Sequence, residues 1–315
     1  MRIRNFFILF LVPVIFALTG CHSSEVNKDR KLVMATQIGL SHSGTILMNE
    51  LGILKKNLPD DVKVELVEIT GGGAAVREAI TTNNVNIGGM GIPPFLIGID
   101  KGMELKLLNG FAVNKYMLVA NKDNIQSIED IDDSDKIAIL QYGSINHIML
   151  SMMSKKVFND ANKFENNMVI MPESDSVAAM ESGAEVSLYL GSQPTVQKAI
   201  NLENTHVIAD VEDYIGKITT VVAVTNDKYS KENPDICEAY VKSLEETFQY
   251  MKENKEECIE ILAEKFNMSA EELKDIYNKV LFSTNIYGFD EIGEFMYENG
   301  YIESKPLTLK EVMSK

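Results

Sequence analysis

Lys31-Leu32-Val33-Met34-Ala35-Thr36-Gln37 reads as a buried strand, Gly39-Leu40-Ser41-His42-Ser43-Gly44 as a glycine- and hydroxyl-rich turn, and Thr45 to about Lys56 as a helix. The same step then recurs. Val62 to Ile69 alternates with period two, the mark of a half-buried strand. Gly71-Gly72-Gly73 ends it before a short amphipathic helix from Ala74 to Thr82. Val85-Asn86-Ile87-Gly88-Gly89-Met90 is the third strand, closed by Gly91-Ile92-Pro93-Pro94 and a helix to about Lys101. Leu105 to Ala112 and Tyr116 to Ala120 add two more strands. Strands separated by helices of this length predict parallel βαβ units with right-handed crossovers, an α/β fold.

A second set follows. Ser127 to Ile131 is a short helix, Lys136 to Leu140 a strand, and Gly143-Ser144 opens a helix reaching Val157. Met168 to Met171 and Val186 to Leu190 are strands flanking a helix from Asp175 to Glu181, and Gln193 to Ile200 is helical. After Val207 to Asp210 comes a strong strand run, Ile218 to Thr225. From Pro234 onward the chain reads as helical, over 236–253, 256–266, 270–281 and 291–298. Proline in a first turn and Ser269-Ala270-Glu271-Glu272, an N-cap followed by acids, mark the starts. No fixed-period repeat or low-complexity tract appears.

At the N-terminus, Arg2 and Arg4 precede an apolar run from Phe6 to Leu18, then Leu18-Thr19-Gly20-Cys21. A basic start, an apolar stretch of this length and small residues before a cut site make an export signal. A membrane span needs about 20 apolar residues, and this run stops short. The Leu-Thr-Gly-Cys ending resembles a bacterial lipobox, in which Cys21 becomes the first mature residue and carries the lipid. Residues 1–20 are then a lipoprotein signal peptide and 21–30 a polar tether. Acyl chains add about 0.8 kcal/mol of membrane affinity per buried methylene, so a multi-chain anchor on Cys21 places the protein on the outer face of a bacterial cell membrane.

The chain is 45% hydrophobic and carries a formal charge of −16, and removing residues 1–20 takes away two arginines and no acid. So acidic a chain argues against nucleic acid, which demands basic patches. Arg30 and Arg77 are the only arginines beyond the signal, so bidentate clamps on carboxylates or phosphates are scarce. Cys237 and Cys258 lie in a helical region at no disulfide-specific spacing and read as two buried thiols.

Several segments, in order, resemble the nitrate/sulfonate/taurine group of ABC-importer binding proteins, which also includes thiamine-precursor binders. Glu50-Leu51-Gly52-Ile53-Leu54-Lys55-Lys56 stands at that family's Glu-x-Gly-x-Phe-x-Lys signature. Val62 to Thr70 with three glycines and Arg77-Glu78-Ala79-Ile80 matches its next βα step, and Val85 to Gly91 with Ile92-Pro93-Pro94 its glycine-and-proline turn. Asp123 to Asp130, Lys136 to Ser144, Ala178 to Gly183, Asn233-Pro234 and Asn254 to Ala263 match later stretches. The resemblance covers roughly Leu32 to Phe282. It implies a type II periplasmic-binding-protein (Venus flytrap) fold: two lobes joined by two crossover strands, with a helical C-terminal part. Lobe 1 is expected at 31–119 plus 218–315 and lobe 2 at 120–217. The partners it implies are a small-molecule ligand and the permease and ATPase subunits of an importer, with no cofactor and no metal.

Open α/β sheets bind ligands beyond the carboxyl ends of their strands, so the strand-to-helix turns are the candidate ligand contacts. Ser41 and His42, with the free N–H groups of the next helix, suit an oxygen-rich ligand or simply cap that helix. Gly72 and Gly73 either bring backbone to the cleft or make a tight turn. Pro93 belongs to a rigid turn, with Phe95 as an apolar wall or a core residue. Tyr142, Ser144, Asn146 and His147 place an aromatic, a hydroxyl, an amide and an imidazole at a helix start. Tyr142 suits stacking on a ring, Ser144 a polar head, and His147 reads as neutral because a helix N-terminus disfavours imidazolium; the alternative is a capped structural helix. Tyr189, Ser192 and Gln193 stand where many relatives carry Trp-Glu-Pro; only Pro194 survives clearly. Arg77 is a solvated helix charge more readily than an anion clamp.

Two other classes remain open from sequence. One is an enzyme on the same fold, since fungal pyrimidine-precursor synthases resemble this family but use histidines and a cysteine-rich run. This chain has four histidines, at 22, 42, 147 and 206, and no His-x-x-His, His-Glu-x-x-His, Gly-x-Ser-x-Gly or Walker-type motif. The other is a sensory ligand-binding lipoprotein without a transporter.

Overall fold

The computed structural model describes residues 30–183 and 186–314. The expected signal peptide, Cys21 and the tether to residue 29 lie outside the described residues. Arg30, expected to end the tether, instead opens the first strand, its guanidinium bonded to Asp61 and Asp235. In chain order come β1 (Arg30–Thr36), α1 (Ser43–Glu50), α2 (Ile53–Asn57), β2 (Val62–Glu68), α3 (Gly72–Thr81), β3 (Ile87–Met90), α4 (Ile92–Asp100) and β4 (Leu105–Asn114). Next are β5 (Tyr116–Ala120), β6 (Ile137–Ile139), α5 (Ile145–Phe158), β7 (Met168–Ile170), α6 (Glu173–Glu181), β8 (Leu188–Ser192), α7 (Thr195–Ile200), β9 (His206–Asp210) and α8 (Val211–Ile215). The chain closes with β10 (Val221–Asn226), α9 (Asp227–Glu232), α10 (Pro234–Glu253), α11 (Lys255–Phe266), α12 (Ala270–Tyr277), β11 (Val280–Phe282), α13 (Phe289–Glu298) and α14 (Leu309–Met313).

These strands form two sheets, β11-β4-β10-β3-β1-β2 and β7-β6-β8-β5-β9. In the first, β1 runs parallel to β2 and β3, and β10 enters antiparallel between β3 and β4. In the second, β6 runs parallel to β7 and β8, and β5 enters antiparallel beside β8. Each sheet therefore takes in one reversed strand where the chain crosses from the other, once at Lys115 and once through 216–220. This is the expected two-lobe α/β periplasmic-binding-protein architecture. The reading of β2 as half-buried holds as well: it is the edge strand, with Lys63 and Glu65 facing out.

Two expectations are corrected. Residues 116–119 are expected in lobe 1, but Tyr116 to Ala120 pair with Ser192 to Leu188 and with β9, so β5 belongs to the second sheet. The helix expected over 270–281 stops at Tyr277, and Val280–Phe282 become β11, paired with β4. A short β-favouring run covers the open edge of β4 and stacks Phe282 against Phe248 and Tyr277. Cys237 and Cys258 are free and buried.

Helices cover both faces of the first sheet. α1, α2 and the C-terminal α10 to α12 share one apolar core with β1, β4 and β10. On the other face, Val76, Phe95 and Phe289 belong to a core that continues into the second lobe through Ile148, Met149 and Leu190. The close approach of α1 to α10 depends on Gly44, where a Cβ would stand 2.7 Å from Phe248 Cε1 and 2.9 Å from Leu244 Cδ1. Gly44→Val should therefore cost about 1–3 kcal/mol by overpacking, read as a lowered denaturation midpoint with an unchanged slope.

Candidate ligand cleft

The loops that leave the carboxyl ends of β1, β3, β6 and β8 meet between the lobes. β1 ends in Thr36 and Gln37, whose side-chain amide donates to the Gly89 carbonyl at 3.0 Å. The chain then makes a 3-10 turn, Leu40–His42, which buries Ser41 and His42. Ser41 Oγ accepts from Asn114 Nδ2 at 3.0 Å, and the same Nδ2 donates to the Gln193 carbonyl at 3.0 Å. Asn114 Oδ1 accepts from the Gln193 N–H at 3.4 Å. One buried amide at the crossing thus ties a first-lobe turn to a second-lobe turn.

His42 sits beside this bridge, edge-on to Phe111 with ring centroids 6.3 Å apart. A Cβ on Gly89 would stand 2.9 Å from its Cε1, so β3 passes directly under the ring. Burial pushes the imidazole down to about 4, which keeps it neutral at physiological pH. Its Nδ1 has no protein partner, nor do Thr36 Oγ1 and either side-chain atom of Gln193, which is 1% exposed.

The second cluster opens α5. Ser144 is the N-cap: its Oγ donates to the Gln141 carbonyl at 2.5 Å, accepts weakly from His147 N and pairs closely with Asn146 Oδ1. Asn146 Nδ2 donates to the Leu190 carbonyl at 3.3 Å. His147 Nδ1 accepts from the Gly143 N–H at 2.9 Å, and burial lowers its pKa to about 4. Its ring stands edge-on between Tyr142 at 5.3 Å and Tyr301 at 5.5 Å. The expected neutral state is present, and its cause is desolvation. Tyr142 is 54% exposed on the rim.

The glycines divide. A Cβ on Gly72 would stand 2.7 Å from Leu140 Cδ2 and 3.6 Å from Gln141 Nε2, so this turn touches the opposite lobe. Gly73 instead lies against Pro94 and Met90, where it lets α3 approach α4. Gly91 faces Ile145 and Gly143 faces Ile97, further contacts between the lobes. Pro93 is buried in the first turn of α4, and Phe95 packs in the core against Phe289. Arg77 donates to the Pro94 carbonyl at 3.0 Å within its own lobe.

Tyr189 is fully buried on the opposite face of β8 from Leu190, among Val119, Met180 and Val196. Its hydroxyl lies over Gly191, where any Cβ would collide with it at 2.0 Å. It also approaches the Glu173 carboxyl without hydrogen-bond geometry. Glu173 begins α6 where the chain leaves β7, beside Thr195 and Tyr189. Desolvation pushes its carboxyl up to about 7, while the two hydroxyls oppose the shift. Among the described residues no group of His, Cys, Asp and Glu could hold a metal ion, and no helix is long and apolar enough to cross a membrane.

Residues 41–258 match the family described as NMT1/THI5 like. The chain belongs to the NMT1/THI5-like family. Its fold is that of the periplasmic aliphatic sulphonate-binding protein SsuA from Escherichia coli, at 20% identity and a TM-score of 0.70 over 88% of this chain and 94% of that one. The alkanesulfonate-binding SsuA from Xanthomonas axonopodis pv. citri, bound to MOPS, gives 17% identity and a TM-score of 0.72 over 90% and 97%. The periplasmic nitrate-binding protein NrtA from Synechocystis PCC 6803 gives 15% and 0.71 over 90% and 84%. At these identities the likeness establishes the fold. No curated protein matches the chain.

Residue type and spacing did not mark Asn114, Glu173 and Tyr301 in this NMT1/THI5-like chain. Asn114 fell in the gap between two expected strands, and that gap between abutting strands was itself the available signal. Glu173 stood outside the expected helix start by two residues. Its raised pKa has a consequence for stability. Between the ordinary carboxylate value of 4.5 and about 7 the unfolded chain releases a proton that the folded chain keeps, so stability falls as pH rises through that window. Glu173→Gln should therefore raise the melting temperature of the unliganded protein, more at pH 8 than at pH 5, as scanning calorimetry at the two pH values would read.

Proposed function

We propose that this NMT1/THI5-like chain is an extracytoplasmic solute-binding lipoprotein of an ABC importer. It captures a small solute between its two lobes and delivers it to a permease whose ATPase subunits drive release. It carries out no turnover of its own, and a lipid on Cys21 holds it at the outer face of the membrane. The site comprises Ser41, His42, Thr36 and Gln193 around Asn114, with Gly72 and the Tyr142–His147 turn closing over it.

The supporting observation is the set of unpaired polar atoms beside the Ser41–Asn114–Gln193 bridge: Gln193 Nε2 and Oε1, His42 Nδ1 and Thr36 Oγ1. A buried donor or acceptor left unmade costs about 1–3 kcal/mol. Buried polar groups in a fold are ordinarily paired, and a solute in the cleft would supply the partner these lack. The structural neighbours agree in kind, being binding proteins for small solutes by name. The resident chemistry suits binding: neutral imidazoles, amides and hydroxyls, with no nucleophile set against a base.

Calorimetry on the purified protein against taurine, ethanesulfonate, nitrate and 4-aminopyrimidine tests the site. Gln193→Ala and Ser41→Ala should each weaken the solute that binds by at least tenfold, about 1.4 kcal/mol. Unchanged affinity in both variants would remove the cleft assignment. Independently, Cys21→Ser should shift the chain from the membrane fraction to the soluble extracytoplasmic fraction; retention in the membrane would count against the lipid anchor.

A further inference from the structure

Two hydrogen bonds join the lobes away from both crossings. Lys279, half-buried between α12 and β11 in the first lobe, donates from Nζ to Gln197 Oε1 on α7 of the second at 2.8 Å. Tyr301, just beyond α13, donates from its hydroxyl to Asn162 Oδ1, just beyond α5, at 3.2 Å. The Tyr301 ring also stands edge-on to His147, with centroids 5.5 Å apart, and stacks on Phe295 of its own lobe. The second-lobe helices reached in this way are the two that leave the candidate cleft. α7 follows the Gln193 turn, and α5 follows the Tyr142–His147 turn.

The first-lobe ends of both bonds are held fast. Between them, the Ser283 N–H donates to the Phe111 carbonyl and the Gly110 N–H to the Thr284 carbonyl. Tyr287 exchanges two bonds with Thr219 on the returning crossover. Beyond Tyr301, the Glu303 and Ser304 N–H groups donate to the Asp100 carboxylate at the end of α4. On the second lobe, Gln197 is steadied by donating to Asn201 Oδ1 at 3.0 Å. Segment 279–304 is thus one piece with the first sheet and the crossover, and its Lys279 and Tyr301 side chains reach across to the other lobe. Neither bond includes an atom of the Ser41–Asn114–Gln193 bridge.

Lobes that part by turning at Lys115 and 216–220 separate both pairs. Both bonds are partly open to solvent, so water replaces the lost partner, and each shifts the balance by roughly twofold to tenfold. Resting on the solute-binding reading above, we propose that Lys279 and Tyr301 are positioning residues of the solute site. They hold α7 and α5 against the first lobe in the closed arrangement and set the fraction of empty protein competent to retain a solute. Apparent affinity scales with that fraction, so these side chains tighten the grip without touching what is gripped.

The test uses the purified full chain in detergent, spin-labelled at Lys56→Cys on α2 and Glu181→Cys on α6, with Cys237 and Cys258 shielded by burial. Without solute, Lys279→Met combined with Tyr301→Phe should move the inter-lobe distance distribution to longer separations, with the parent's circular dichroism retained. Asn162→Leu should reproduce Tyr301→Phe, and the two together should add nothing further, a coupling that a role inside the first lobe alone does not give. Whichever of taurine, ethanesulfonate, nitrate and 4-aminopyrimidine binds the parent should bind the Lys279→Met/Tyr301→Phe protein at least about fivefold more weakly and leave it faster. An unchanged distance distribution would overturn the proposal, as would unchanged affinity for a solute that binds the parent. No heat from any of the four in the parent would count against the solute-binding reading, and the distance measurement alone would then decide whether these residues hold the lobes.

Discussion

The side chain of Asn114 is where the two lobes are held to one geometry. It ends β4, one residue before the chain enters the other sheet, and is 4% exposed. Its amide bonds Ser41 on one side and the Gln193 backbone on the other. Its own N–H donates to Thr220 Oγ1 at 3.2 Å, and Thr220 lies on the returning crossover, where it also bonds the Ala112 carbonyl. Both crossings and both cleft turns thus converge on one residue. An apolar side chain there would strand several buried partners together, and each stranded group is costly. A hydroxyl would reach at most one of the two turns.

The lobe interiors were legible because they obey period rules that need no tertiary context. Val62 to Glu68 alternates and lies on an edge; Val221 to Val224 is continuously apolar and lies in the middle of its sheet. The crossings were not legible for the opposite reason. β4 and β5 are both apolar strands separated by Lys115 alone, and nothing local says that they hydrogen-bond into different sheets. Val280 to Phe282 continues a helical run in sequence, and only the exposed edge of β4 turns it into a strand. Context overrode propensity there.

The candidate site was legible by residue type and illegible by direction. Ser41, His42 and Gln193 were visible as polar residues in strand-to-helix turns, and they do meet. Tyr189 was visible in the same way, yet strand alternation sends it away from Leu190 to the α6–α7 side. Ser144 and Asn146 satisfy each other and the start of α5, so the helix-capping alternative accounts for most of what that motif does. Gly72 and Gly73 are adjacent, but one meets the other lobe and the next meets Pro94. A one-residue difference in facing separates contact across the cleft from packing beneath it, and sequence type carries no sign of it.

The cleft sets an apolar attraction against a polar debt. Ile145 against Gly91, Ile97 against Gly143 and Leu140 against Gly72 bring the lobes together through groups that leave nothing unsatisfied. The unpaired atoms of Gln193, His42 and Thr36 oppose the same arrangement, because water could solvate them if the lobes parted. Their summed penalty, at about 1–3 kcal/mol per group, is comparable to the roughly 5.5 kcal/mol that carries a two-state equilibrium from one side to the other. A solute that pairs these atoms removes the opposing term without touching the apolar one, and so has differential affinity for the closed arrangement. Replacing Gln193 by an apolar residue would remove the penalty without any solute, and the cleft would then favour closure whether or not it held anything. On the proposed solute-binding reading, the polar residue that weakens the empty cleft is what would make its closure report on occupancy.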